Sequence, residues 1–164
     1  MQFEDLNYLK NFDSETVDRD SQEYRQWPTA SDLESLCIEA PLQLKAIKTR
    51  SNGTSVAGIQ LIFENGIKSP FLLTDQAKKY QSWETKKVQL TGKNITRIIE
   101  KGDCNACRKL SFVHENGTDV VYQKQEDTER VREIPPGHFV VGVYGLFKVS
   151  HSNICGLGFI TAKI

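Results

Sequence analysis

Three segments of the chain repeat one pattern, and this repetition restricts the fold more than any other feature of the sequence. The copies share an alternating Leu-x-Phe centre, and they are residues 59–66 (IQLIFENG), residues 109–117 (KLSFVHENG) and residues 155–160 (CGLGFI). Repetition of this kind indicates that one supersecondary unit is used several times. The sequence therefore predicts a fold with internal threefold pseudosymmetry.

Each copy follows a shorter apolar stretch across a polar loop, at residues 44–47, 95–99 and 139–144. Alternation with a period of two is typical of strands that bury one face. We therefore predict a strand, a loop and a second strand in each copy, arranged as three antiparallel sheets around one core. The predicted inward-facing residues are Ile47, Ile59, Leu61, Phe63, Ile98, Leu110, Phe112, Val141, Val143, Leu157 and Phe159.

Two Asn-Gly pairs, at residues 65–66 and 116–117, end the first two copies. Asn-Gly favours a type I′ hairpin turn, because both central residues of that turn need a positive φ. A strand is expected to follow each turn, at residues 70–73 and 119–123.

The chain resembles the jacalin-related lectin family in three places: residues 47–66, residues 94–116, and the C-terminal run of residues 134–145 and 154–159. The resemblance covers about residues 37–164. It implies an all-β fold, a β-prism of three antiparallel sheets with pseudo-threefold repetition, and ten to twelve short strands in that span.

Residues 1–36 differ from the rest, and we predict an irregular arm outside the β-prism. The first 30 residues hold seven acidic and three basic side chains, a net charge of −4, yet they are rich in aromatic residues. Two interpretations stand: the arm packs on its own domain, or it docks on the basic surface of a partner protein. Residues 32–36 fit one capped helical turn. The predicted arm contacts are Phe3, Leu6, Tyr8, Phe12 and Trp27.

Composition argues against several classes of protein. Lys plus Arg equals Asp plus Glu, at 21 each, so no global positive field indicates nucleic-acid binding. No apolar run approaches the roughly 20 residues of a membrane span. The first ten residues lack the basic and apolar regions of a secretory signal, so a cytoplasmic or other intracellular location is expected.

Four cysteines raise the question of a metal or a disulfide. Cys104 and Cys107 have the CxxC spacing of zinc and redox motifs, but Cys37 and Cys155 do not form a second pair. We expect a loop with two free thiols and no metal or other cofactor; a local disulfide is the alternative in an oxidising compartment. Cys155 is expected to face the core. The three histidines form no catalytic set, so no enzyme is predicted.

The resemblance also implies where a sugar would bind. In the family, a Gly-rich loop near the start of the domain and a Gly-x-x-x-Asp pattern in the final loop together hold the sugar. Here the first loop matches residues 39–42 (EAPL), and Asn153 stands in the place of the aspartate. The amide loses charge-assisted hydrogen bonds. The candidate glycan or partner-binding loop comprises Gly145, Leu146, Phe147, Lys148, Ser150, His151 and Asn153.

Two functional hypotheses follow. The first is a non-catalytic subunit of a larger intracellular assembly with a degenerate sugar site, favoured by the apolar residues Leu146, Phe147 and Val149 in the final loop. The alternative is a lectin with an altered glycan site. In either case the expected partners are proteins or a glycan, without nucleic acid.

Overall fold

A computed structural model describes residues 6–9, 22–29, 43–51, 55–79, 84–91, 93–103, 106–123, 128–148 and 153–163. These residues form eleven strands and one short helix, α1 (Asp75–Lys79). The strands are β1 (Leu6–Leu9), β2 (Gln22–Trp27), β3 (Leu44–Ser51), β4 (Val56–Phe63), β5 (Glu84–Gln89), β6 (Ile95–Asp103), β7 (Ala106–His114), β8 (Gly117–Gln123), β9 (Thr128–Glu133), β10 (His138–Lys148) and β11 (Asn153–Lys163).

The strands form three antiparallel sheets, which confirms the predicted all-β fold class. Sheet A has the order β1-β11-β10-β2, sheet B the order β4-β3-β5, and sheet C the order β8-β7-β6-β9. Each sheet is built on one copy of the repeat: β3–β4, β6–β7 and β10–β11 are the three equivalent hairpins. The result is a β-prism with pseudo-threefold symmetry.

The three hairpins share even their irregularities. The first strand of each hairpin has a shift of register within its first five residues, and the second strand has another near its own start. These shifts lie at Leu44/Ala46, Ile95/Arg97 and Val140/Gly142, and at Arg50/Ser51, Lys101/Gly102 and Leu146/Phe147. Bulges bend and twist a strand, so the same bulges in each copy give the three sheets a common curvature.

The core lies between the sheets and contains every residue of the predicted inward-facing set. Phe112 and Phe159 meet edge to face with ring centroids 6.0 Å apart, which joins sheets C and A. Trp27 and Phe63 lie 5.8 Å apart and join sheets A and B. The period-two prediction of the core is confirmed.

The turns after the first two copies occur where they were predicted, but with different central residues. Gly66 has φ 87° and its amide donates to the carbonyl of Phe63 at 3.2 Å, so the central residues of the turn are Glu64 and Asn65. His114 likewise pairs with Gly117 across the second turn. In both turns the glycine follows the central pair. The first turn is a three-residue loop between Phe63 and Ile67 that ends in glycine, whereas the second is a two-residue loop between His114 and Gly117.

Two predicted details of the β-domain differ from the structure. Residues 70–73 make only an isolated bridge, Ile59 with Leu72, where a full strand was expected. The described part of residues 37–164 therefore has nine strands. Helix α1 was not predicted; Thr74 caps it, because its hydroxyl accepts a hydrogen bond from the Ala77 amide at 3.0 Å.

The described N-terminal strands belong to sheet A, which corrects the prediction of an arm outside the prism. β1 pairs with β11 and β2 pairs with β10. Trp27 is buried in the core of its own domain. Both strands lie at sheet edges, where charged residues are favoured and the alternating pattern is weak. Phe3, Phe12, the side chains of Leu6 and Tyr8, and the predicted turn at 32–36 lie outside the described residues.

Candidate functional site

Strand pairing in sheet A brings three points of the chain to one end of the sheet. Lys148 in β10 pairs with both Gln22 in β2 and Asn153 in β11. The two described residues that flank residues 149–152, and the residue that follows residues 10–21, therefore lie together at this end. We call this place the hairpin end of sheet A.

The predicted binding loop is shorter in the structure than the sequence indicated. Gly145, Leu146, Phe147 and Lys148 are part of β10, and Asn153 begins β11. Phe147 is fully buried and Leu146 is half-buried, so the expectation of an exposed apolar loop tip is wrong for both residues. The physical reason is that the inward alternation of β10 continues past its expected end. Ser150, His151 and Val149 lie outside the described residues.

Gly145 has a structural role in this arrangement. A Cβ atom built on it would lie 2.7 Å from the Phe147 ring, so only glycine leaves room for that ring in the core. The glycine that was predicted to contact a ligand therefore packs against Phe147.

The second half of the predicted sugar site falls on residues that the structure does not describe. The expected counterpart of the family's Gly-rich loop, residues 39–42, lies outside the described residues and ends just before Gln43. Gln43 lies beside His138, at the end of β10 away from Lys148. Gln22, the described residue after residues 10–21, is the one that pairs with Lys148. The sequence analysis missed β2 and therefore missed this pairing.

A shallow groove lies at the other end of the prism, where equivalent strands of the three copies begin. Its lining comes from the starts of β3, β6 and β10: Gln43, Leu44, Lys93, Asn94, Ile95, His138, Phe139 and Val140. On one side, Lys93 Nζ lies 3.5 Å from Asp119 Oδ2. The groove mixes an apolar floor with a polar rim.

His114 is held by two hydrogen bonds beside this groove. The Asn116 amide donates to Nδ1 at 3.2 Å, so the ring proton is on Nε2, which donates to Asp119 Oδ2 at 2.9 Å. Both ring nitrogens therefore have partners within the fold. This arrangement fixes the turn between β7 and β8.

Cys107 lies in strand β7 and not in a loop, which corrects its predicted place. The side chain is fully buried and its Sγ donates to the carbonyl of Lys109 at 3.5 Å. Burial raises the pKa of the Cys107 thiol far above its usual range. Within the described residues no group of three or more metal-ligating side chains occurs. Cys104 and the side chain of Cys155 lie outside them.

Cys107 is expected to resist alkylation in the folded protein, because its thiol is buried and protonated. Iodoacetamide at mildly alkaline pH should leave it unmodified over hours, whereas the same treatment in guanidinium chloride should modify it fully. Peptide mass spectrometry measures both, and a Cys37→Ser/Cys104→Ser/Cys155→Ser variant isolates this thiol. Rapid alkylation of the native protein would contradict the burial of this side chain.

Among the helices that the structure describes, none is long and apolar enough to cross a membrane. No protein-family model matches the chain, and no curated protein sequence matches it either.

Several solved structures with the same fold are lectins. A mannose-binding jacalin-related lectin from Ananas comosus has a TM-score of 0.62 at 15% identity, with 97% of this chain and 99% of that chain covered. A prostate-specific WGA16 glycoprotein lectin has a TM-score of 0.64 at 14% identity over 87% and 92% of the two chains. A mannose-specific jacalin-related lectin from Morus nigra, solved with mannose, has a TM-score of 0.58 at 18% identity over 73% and 80%. The TM-scores establish the fold, which is that of the jacalin-related lectins. At identities this low, the similarity is one of fold alone.

Proposed function

We propose that the protein is a non-enzymatic carbohydrate-binding protein whose glycan site lies at the hairpin end of sheet A. The observation on which this rests is the pairing of Lys148 with both Gln22 and Asn153, which brings the end of the N-terminal segment and both ends of the final loop together. The shared fold with lectins that bind mannose supports the same function.

The chemistry of the two segments fits a sugar. Sugar hydroxyls are held best by carboxylates and amides, which accept and donate several hydrogen bonds from one side chain. Asn153 supplies an amide at the start of β11. The sequence of residues 10–21 contains four carboxylates, at Asp13, Glu15, Asp18 and Asp20. We propose that the carboxylate missing from the final loop is supplied by this N-terminal segment.

The test is a glycan array with the intact chain. We expect binding to a restricted set of glycans and weak binding to free mannose or galactose, because the donor set differs from that implied by the family resemblance. Asn153→Ala should reduce the signal about tenfold or more, as expected when one polar partner of a ligand is lost.

The matched controls separate the site from the rest of the surface. A variant with Asp13, Glu15, Asp18 and Asp20 changed to their amides should lose binding. Glu115→Gln, in the turn between β7 and β8, should leave binding unchanged. If no glycan on the array is bound, or if Asn153→Ala binds as the unmodified protein does, the proposal fails.

The competing hypothesis is a non-catalytic subunit of an intracellular assembly that binds other proteins. Two of the apolar side chains on which it rested, Phe147 and Trp27, are buried in the core and are not available to a partner. For this reason the lectin function is preferred. A negative glycan array together with a stable native complex would restore the subunit hypothesis.

A further inference from the structure

The outer face of sheet B is basic. The inward positions of β3 are those of Ile47 and Thr49, so Lys48 and Arg50 point outward. Lys87 on β5 lies directly opposite Lys48, and Lys68 forms a bridge with the outward residue Ile62 of β4. We call these four cations, Lys48, Arg50, Lys68 and Lys87, the basic face.

Within the described part of the chain, no carboxylate forms an ion pair with any of these four cations. The other residues on the same face of sheet B are uncharged. They are Ala46, Gly58, Gln60, Ile62, Thr85 and Gln89. Lys48 and Lys87 are like charges in one cross-strand pair, which destabilises a sheet. The face therefore keeps a positive charge that the described fold does not neutralise.

Arg50 is held in position by an aromatic ring, although one of its hydrogen-bond donors has no partner. Its guanidinium lies over the Phe71 ring at 5.0 Å, and Phe71 in turn lies against Gly58, where an added Cβ would be 3.1 Å from the ring. Its Nε atom is buried and has no hydrogen-bond partner in the structure. The stacked ring thus holds one cation of the face in place.

We propose that the basic face is a second binding site, for a sulfated polysaccharide. Sulfate groups on a chain are point-like anions that lysine ammonium and arginine guanidinium groups bind through charge-assisted hydrogen bonds. The face lies on sheet B, so it is distinct from the hairpin end of sheet A and does not depend on the glycan site proposed there. A sulfated chain would also relieve the repulsion between Lys48 and Lys87.

The other polyanions fit this face less well. Single-stranded nucleic acid is bound with aromatic platforms on which bases stack, whereas the ring at this face, Phe71, is already covered by Arg50. Attachment to a membrane surface is strengthened by exposed large apolar residues. Among the described residues the large apolar side chain that is exposed is Val131, which lies on sheet C.

Heparin serves as the probe, and the full-length chain is titrated with it at low and at moderate salt. We expect binding that weakens as salt rises, because condensed counterions are released from a polyanion when it is bound. The Lys48→Gln/Lys87→Gln variant should bind about tenfold more weakly than the unmodified chain and show a smaller salt dependence. Lys87→Glu should also lose affinity while its melting temperature does not fall, which separates loss of binding from loss of folding.

The matched control is Lys79→Gln/Lys109→Gln, which removes the same charge from helix α1 and sheet C. It should change heparin affinity less than twofold, since neither residue belongs to the basic face. Equal losses in both double variants would show a non-specific charge effect and overturn the proposal. Single-stranded DNA bound as tightly as heparin would overturn the choice of polysaccharide. Asn153→Ala should leave heparin binding unchanged, so the two glycan proposals succeed or fail separately.

Discussion

A chain that lacks residues 1–30 is expected to lose its cooperative folded state. The deletion removes β1 and β2, which are the two edge strands of sheet A, and leaves β10 and β11 as an unsupported pair. It also removes Trp27, which packs on Phe63 in the core. Loss of a buried Trp alone costs about 3–5 kcal/mol. The whole stability of a domain is only about 5–15 kcal/mol, so this deletion should exceed what the fold tolerates.

Thermal melting followed by circular dichroism measures the effect, with a series of truncations as controls. Deletion of residues 1–5 stops before β1 and should leave the melting temperature almost unchanged. Deletion of residues 1–20 removes β1 and should lower it, and deletion of residues 1–30 should abolish the transition. A cooperative transition at the parental temperature in the longest deletion would show that the N-terminal strands are dispensable.

The sequence predicted the core of the fold because the same physical pattern is repeated in it. Alternation at a period of two specifies the buried face of a strand, and three copies of Leu-x-Phe specified three such strands. The N-terminal strands escaped prediction because β2 contains Glu23 and Arg25 among few apolar residues. Charged edge strands are common, since charge prevents aggregation at an exposed edge, and their alternation is therefore weak.

The candidate site was predicted less well than the fold, for a different reason. The expected loop began at Gly145, whereas the inward positions Val141 and Val143 continue through Gly145 to Phe147 in the structure. Continuing the period-two pattern of β10 for two more inward positions predicts that the strand reaches Phe147. The segment that we propose completes the site, residues 10–21, was suggested only by which strands are neighbours in sheet A. Strand neighbours are tertiary information that a local pattern does not contain.

Glu100 is the second place where a large effect is expected. It lies in β6, faces the core beside its cross-strand partner Leu110, and is completely buried. Neither carboxylate oxygen has a hydrogen-bond partner in the structure. Arg130 and Arg132, on the neighbouring strand β9, approach it from the same face of the sheet. A buried charge without a hydrogen-bond partner is costly, so the group is expected to be neutral in the folded state.

Burial raises the pKa of the Glu100 carboxyl well above its ordinary value of 4.5, and the positive charges of Arg132 and Arg130 oppose that rise only in part. Below pH 4.5 the carboxyl is protonated in both the folded and the unfolded chain, and its contribution to stability is fully present. Above that pH the unfolded chain releases the proton and the folded chain keeps it. Stability is therefore lost as pH rises, by about 1.4 kcal/mol per pH unit, until the pKa of the folded state is reached.

Glu100→Gln should remove this loss, because the amide has nearly the same shape and no proton to release. We expect the variant and the unmodified chain to have similar stability near pH 4 and the variant to be more stable by a few kcal/mol near neutral pH. Urea unfolding at a series of pH values measures the difference. Glu115→Gln, the same change at an exposed turn position, should leave the pH dependence as it was. A Glu100→Gln variant that keeps the full pH slope would show that this carboxyl is ionised in the folded protein and is neutralised there by Arg130 and Arg132.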